Sequence, residues 1–458
     1  MASDFLQHAA SYRDRDGFIF KHKGNYYRCI QPQYAPHYHQ LMQSGLYHSL
    51  VKKQWLLSHR EINNDPELNT TNATIILPEQ ITAISYPYEW SFAMWQDAAI
   101  LTLHIAKAAI DCNMLLKDAT PFNIQFLNGR PVFIDTLSFE QYDAAKPWVA
   151  YRNFCECFIA PLLLQKYCHP EMGKLFTIYP NGIPLDILKS LLPARAKWNL
   201  HNYLHVYLQA AVKPGKNESS TAAGKGFSKQ KMLLLLNGLL TYVTGLQPKK
   251  TKTVWDDYYG HTILGDAYLA AKTALVQDFV SDISFNSLVD LGANDGHFSL
   301  LFKNTGRQVI AVDGDVNCID ALYKKIKQDK IKNILPLVIS LMSPSPSIGF
   351  KNAERNSFTE RSSGDMVFAL ALVHHLAIGS NLPLHFIAQW LAPMGQYLLI
   401  EFVPKEDEKV QLLLQHRTDI FTDYNLDHFE KAFSKHFHTV KKQAIANTGR
   451  TLFLFKRV

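Results

Sequence analysis

The segment from 287 to 313 constrains this chain more than any other. Ser287-Leu-Val-Asp-Leu is a short apolar run that breaks into Gly292-Ala-Asn-Asp-Gly296, and a second apolar run, Gln308-Val-Ile-Ala-Val, ends in Asp313. Glycines at the end of a strand let the backbone turn tightly and approach a ligand closely. An acid about twenty residues further on, closing the next strand, is placed to accept hydrogen bonds from a ribose diol. Between the two glycines, Asn294 is the non-glycine residue type that best tolerates a positive φ, so the turn can form.

The pattern around this segment alternates. Strands are expected at 287–292, 308–313, 333–339, 365–372 and 396–403, with a closing pair near 438–445 and 450–456. Helices are expected at 296–304, 316–329, 382–391, 405–417 and 426–436. Regular alternation of this kind gives an open α/β sheet wound on both faces. Before residue 250 the pattern is mostly helical with little strand character. A length of 458 residues suits two or three domains, and the reading is an accessory domain over 1–250 and an α/β domain over 251–458.

Composition narrows the classes. The net charge of +7 comes with lysine pairs scattered along the chain, which does not indicate a nucleic-acid partner. The most apolar stretch, Met232 to Val243, is shorter than the roughly 20 residues a membrane span needs. The first ten residues lack a secretory pattern, so the expectation is a cytoplasmic protein with six reduced cysteines and idle sequons at Asn69, Asn72 and Asn217. Cys155-Glu156-Cys157 and Cys168-His169 are assigned no metal, because residues two apart on a helix do not share a face. Residues 213–231, rich in Lys, Ser and Gly, read as a flexible surface loop.

Further along, Asp365-Met-Val-Phe-Ala-Leu-Ala-Leu-Val-His374-His375-Leu376 leads to Leu391-Ala-Pro-Met-Gly395 and to Tyr397-Leu-Leu-Ile-Glu401-Phe. With DLGANDGHFS, LMSPSPSIGF, Glu354-Arg355, IEFVPKED and HRTDIFTDY, these segments make residues 251–458 resemble a bacterial family of class I S-adenosylmethionine (SAM) methyltransferases. The resemblance implies a Rossmann-like seven-stranded domain ending in a hairpin. It implies SAM as the cofactor, held by Asp290, Gly292, Ala293, Asn294, Gly296 and Asp313. Two positions depart from the family: Asn294 replaces the usual middle glycine, and Ser340 follows the third strand where relatives carry an acid near the adenine.

No Asn/Asp-Pro-Pro-aromatic tetrapeptide follows the fourth strand, which argues against exocyclic nitrogen on bases or amides. A small-molecule or glycan acceptor is expected; the sequence says nothing of oligomeric state. His374 and His375 fall at the carboxyl edge of the sheet, where such folds bind ligands. Either one serves as a general base near neutrality, or they cap the turn and pack against the cofactor. Glu354, Arg355 and Arg361, between the third and fourth strands, either grip an anionic acceptor or form a salt-bridged loop.

The first 250 residues hold a second constellation. Asp118 is followed five residues later by Asn123, and Ile124 to Asp135 forms an apolar hairpin around Asn128-Gly129. This resembles the catalytic loop and metal-binding Asp of kinase-like phosphotransferases. A strand at Gln80–Tyr86 and a helix at Phe92–Ile110 precede it, in kinase order. There is no Gly-rich loop, Thr136-Leu137 follows Asp135 in place of Phe-Gly, and Tyr26-Tyr-Arg-Cys-Ile30 stands where a lysine-bearing strand is expected. Three readings are open: turn and strand-end residues of an α+β accessory domain, a kinase-like fold without activity, or an active phosphotransferase.

Overall fold

The computed structural model describes residues 7–62, 67–68, 73–211, 227–251, 266–415 and 417–458. The three sequons, residues 213–226 of the low-complexity segment and His416 lie outside the described residues. The chain forms two compact units. The first is Met1–Thr251 with Ser347–Asn356, and the second is Lys252–Pro346 with Ser357–Val458.

The first unit has more strand than its sequence pattern suggests. β1 (Gly17–His22), β2 (Asn25–Ile30), β3 (His59–Glu61) and β4 (Thr74–Pro78) make a sheet in the order β1-β2-β4-β3. β5 (Met114–Leu116) pairs with β8 (Phe139–Gln141), and β6 (Ile124–Leu127) with β7 (Arg130–Phe133). These strands are only three to six residues long, so few of them offer a readable alternation. The hairpin turn is as expected, with Asn128 and Gly129 at φ 54° and 72° between Leu127 and Arg130. The helix Phe92–Asp111 buries most of its length.

One strand is misplaced by the sequence reading: it is Thr74–Pro78, while Gln80–Tyr86 is irregular. The reason is side-chain bonding. The Gln125 carboxamide accepts from the Ser85 N–H and donates to the Ser85 carbonyl, which satisfies that backbone without a strand partner.

In the second unit, β9 (Ser287–Leu291), β10 (Gln308–Asp313), β11 (Ile334–Val338), β12 (Gly364–Ala369), β13 (Gly395–Phe402), β14 (Phe437–Ala444) and β15 (Thr451–Arg457) form one sheet in the order β11-β10-β9-β12-β13-β15-β14. The first five strands run parallel, and β15 inserts antiparallel between β13 and β14. Central strands are covered on both faces, which is why they read as unbroken apolar runs. Leu288, Val309, Ala311, Phe368, Leu399 and Leu454 meet in one core. Each of these except Ala311 contributes about 1.5–3 kcal/mol by leaving water. Pro336 is tolerated because β11 is an edge strand. At the other edge, β14 carries mostly exposed residues, including Val440 and Lys442.

The helix expected at 296–304 is a single 3-10 turn, Ser299–Phe302. Gly296 has φ 83°, and Asn304 and Gly306 also take positive φ on the way to β10. Eleven residues between Gly296 and Gln308, hemmed by two left-handed turns, leave room for one tight turn only. Among the described residues, no helix is long and apolar enough to cross a membrane.

Candidate active site at the carboxyl edge of the sheet

In the second unit, the loops after β9, β10 and β12 share one edge because their strands are parallel and adjacent. The loop after β9 carries Gly292, Ala293, Asn294 and Gly296. Gly292, Asn294 and Gly296 take φ of 78°, 52° and 83°. Asn294 therefore occupies the left-handed conformation its residue type allows. A side chain at Gly296 would also collide with Leu322, a built Cβ lying 2.6 Å from its Cδ1. The N–H groups of Gly292 and Ala293 both donate to the Val312 carbonyl, pinning the loop to β10.

Asp313 closes β10 and organises the edge. Its Oδ2 accepts from the Asn294 N–H at 2.8 Å and its Oδ1 from the Asp315 N–H at 2.8 Å. A carboxylate has about four acceptor positions, so the N–H groups of Asn294, Gly314 and Asp315 do not fill it. Burial raises the Asp313 pKa, against which these N–H groups work. Ser340, partly buried, begins the segment after β11, where the Ile339 N–H donates to the Asp313 carbonyl.

Asp290 is buried in β9 and receives a 2.6 Å hydrogen bond from the Ser299 hydroxyl. Burial pushes its pKa up to about 6, with the nearby Asp313 charge adding to the shift.

After β12 the chain passes through Ala371 at φ 52°, a strained conformation for a residue with a Cβ. His374 follows. It is fully buried, and neither ring nitrogen has a hydrogen-bond partner. The His375 ring lies 4.1 Å away, centroid to centroid. Burial holds the His374 pKa well below the usual imidazole value, helped by His375 and the Arg450 and Lys272 charges. Burial also brings His375 down to about 4. Both shifts favour the neutral imidazole, the form a general base needs before it takes a proton.

Arg450 and Lys272, two of the charges that act on His374, belong to a buried network not anticipated from sequence. Glu401, at the end of β13, takes the Lys272 ammonium at 2.5 Å, the Tyr268 hydroxyl at 2.9 Å and Arg450 at 3.2 Å. Arg450 spends its other nitrogens on Asp407, at 2.7 and 3.0 Å. Glu401, Arg450 and Lys272 are each under 5% exposed. The only sequence signals were a glutamate ending an apolar strand and a lone arginine opening another.

In the first unit, Asp118, Asn123 and Asp135 come together. The Asn123 amide donates to Asp118 Oδ2 at 3.1 Å and to the Ser138 hydroxyl at 3.0 Å, and Ser138 donates to Asp135 Oδ2 at 2.7 Å. Asp118 is pushed up to about 6 by burial and by the Asp135 charge. Burial would raise Asp135 too, but the Arg28 guanidinium, ion-paired with it from β2, holds it low. Glu354 and Arg355 also belong to this unit. Glu354 accepts from Arg13 and from the Tyr12 hydroxyl, both at 2.7 Å, and Arg355 lies 4.4 Å from the Phe122 ring centroid. For Glu354 this is the salt-bridged loop among the two readings. Cys155 and Cys157 are buried free thiols on a π-helical turn.

No family model matches the chain. Among solved structures, the N-methyltransferase NodS from Bradyrhizobium japonicum with S-adenosyl-L-homocysteine covers 44% of this chain and 92% of its own, at 11% identity and a TM-score of 0.33. The methyltransferase domain of bacterial CtHen1 covers 41% of this chain and 99% of its own, at 16% identity and a TM-score of 0.30. Sequence likeness is much stronger to the nodulation protein NoeA of Rhizobium meliloti strain 1021, which is 36% identical over 389 residues, 83% of this chain and 81% of its own. At that identity and coverage, the chain belongs to the NoeA family.

Proposed function

We propose that the second unit is a class I SAM-dependent methyltransferase. The observation that carries this reading is the sheet: five parallel strands closed by a hairpin whose last strand runs antiparallel between its neighbours. The same glycine turn and acid would serve a dinucleotide, but the inserted antiparallel strand matches the methyltransferase sheet. The donor set fits the cofactor. Asp313 keeps open acceptor positions for a ribose, the turn at Gly292–Gly296, which includes Ala293, exposes backbone beside it, and Asp290 lies in the strand that leads into that turn. SAM supplies an electrophilic methyl group that passes in line to an acceptor while the sulfur takes the bonding electrons. The protein's task is to align the acceptor and exclude water.

His374 and His375 are assigned to the acceptor side of this edge. Two unbonded nitrogens on a fully buried ring cost about 1–3 kcal/mol each, and a bound ligand group would satisfy them. A neutral imidazole accepts a hydrogen bond, and its lowered pKa makes it a group that positions an acceptor hydroxyl or amine and takes a proton only as that group gains positive charge. A small-molecule or glycan acceptor remains the expectation.

The first unit reads best as a kinase-like scaffold without phosphoryl transfer. Supporting this are the four-stranded sheet, the long helix, and the convergence of Asp118, Asn123 and Asp135. The Arg28–Asp135 ion pair favours the inactive form, because a metal-binding carboxylate would have to surrender that cation first.

The test is calorimetric. Asp313→Ala removes hydrogen bonds to a charged acceptor, each worth about 1.5–3 kcal/mol, and SAM affinity is expected to fall about ten- to a hundredfold. Unchanged affinity, or tight NAD binding by the wild type, defeats the assignment.

A further inference from the structure

A face of the first unit has no role in either site. From Leu185 to Lys250 the described residues carry seven Lys and Arg residues against a single acid, Asp186, which accounts for most of the chain's net charge of +7. Among the described residues of this stretch, Lys189, Arg195, Lys197 and Lys231 are exposed, and no carboxylate pairs with them.

The same stretch exposes large apolar side chains. Pro193 leads a 3-10 turn, Ala194–Trp198, which presents Trp198 at 89% exposure. Asn199 then caps a continuous helical stretch from Leu200 to Ala211 by accepting from the Asn202 N–H. Asn202, His205 and Val206 face inward, and Tyr242 stacks on His201. Leu200, Leu204 and Leu208 recur every fourth residue and are exposed, as are Tyr203 and Leu234.

We propose that this face docks on the surface of an anionic lipid membrane. An exposed tryptophan and leucines interleaved with Lys and Arg suit the boundary between headgroups and acyl chains. There the apolar side chains enter the lipid while the basic ones reach its phosphates. A second copy of this chain would set like charges against each other. A nucleic acid would be met by stacking aromatics, and the exposed row here is mainly leucine.

The experiment is vesicle sedimentation with the full-length chain. Two vesicle types are compared: phosphatidylcholine alone, and a mixture in which phosphatidylglycerol replaces a third of the lipid. The chain should sediment with the anionic vesicles, not with the neutral ones, and should be released by molar salt. Arg195→Gln and Lys197→Gln should each weaken partitioning about fivefold. The pair Trp198→Ser and Leu204→Ser should weaken it about tenfold or more. All four positions are exposed, so the melting temperature should not move. The absence of anionic-vesicle binding at low salt overturns the proposal. So does binding that ignores the Trp198 and Leu204 changes while the protein is retained on heparin, which would make this a general polyanion surface.

Discussion

Asp290 illustrates a residue kept at a cost. It is 2% exposed, and burial lifts its folded-state pKa to about 6, above the ordinary carboxylate range. The native state thus binds a proton more readily than the unfolded chain does. Stability contributed at this position is present at low pH and is lost as pH rises from near 4 to about 6. Asp290→Asn removes the ionisation and keeps an acceptor for the Ser299 hydroxyl. At pH 7.5 it is expected to stabilise the second unit by about 2–3 kcal/mol, and at pH 4 that gain should vanish. Urea melts at the two pH values measure this, and equal effects at both would show that burial is not the cause. Binding of SAM should weaken in the same variant. Asn294 and Asp290 show what is legible at this scale. A positive φ follows from residue type, so the turn could be read, whereas the unbonded nitrogens of His374 arise from burial by distant segments and could not.

At the scale of elements, the edge depends on the buried ion network as much as on the strands. Helix Asp266–Ser281 supplies Tyr268 and Lys272, β13 supplies Glu401, and Arg450 comes from the turn before β15. Asp407 both binds Arg450 and caps helix Glu408–Leu414 through the Lys409 N–H. Arg450→Met leaves Asp407 without its guanidinium and Glu401 with Lys272 as its remaining cation, and removing one partner of a buried pair typically costs about 3–5 kcal/mol. Chemical denaturation should show a loss of that size; a loss below about 1 kcal/mol would mean that Lys272 alone neutralises the site. The strands of this unit were legible because a buried parallel strand is a continuous apolar run. The helix expected at 296–304 failed because two left-handed turns outrank its propensity. In the first unit, strands such as His59–Glu61 are too short and polar to announce themselves.

For the whole molecule, the two units make separable claims, and hydrogen exchange on the full chain distinguishes them. A ligand that binds the native state protects the amides it touches and stabilises by about 2.7 kcal/mol at a hundredfold excess over Kd. S-adenosyl-L-homocysteine is expected to slow exchange at Gly292–Gly296, at Asp313–Asp315 and at the segment through His374. All three segments follow strands of one parallel set, and the first two are joined by the Asn294–Asp313 and Val312 hydrogen bonds. Residues 117–138 should not respond to it. ATP with Mg²⁺ should leave both regions unchanged, because Asp135 is already neutralised by Arg28 and Asp118 sits near its proton-bound state at mildly acidic pH. Arg28→Ala then becomes informative. If only the guanidinium keeps metal away, this variant should gain Mg²⁺-dependent protection at Asp118–Asn123. If the scaffold has lost nucleotide binding more broadly, as the missing Gly-rich loop implies, it should gain none. The second outcome is expected, since backbone N–H groups of such a loop are what ordinarily hold the phosphates.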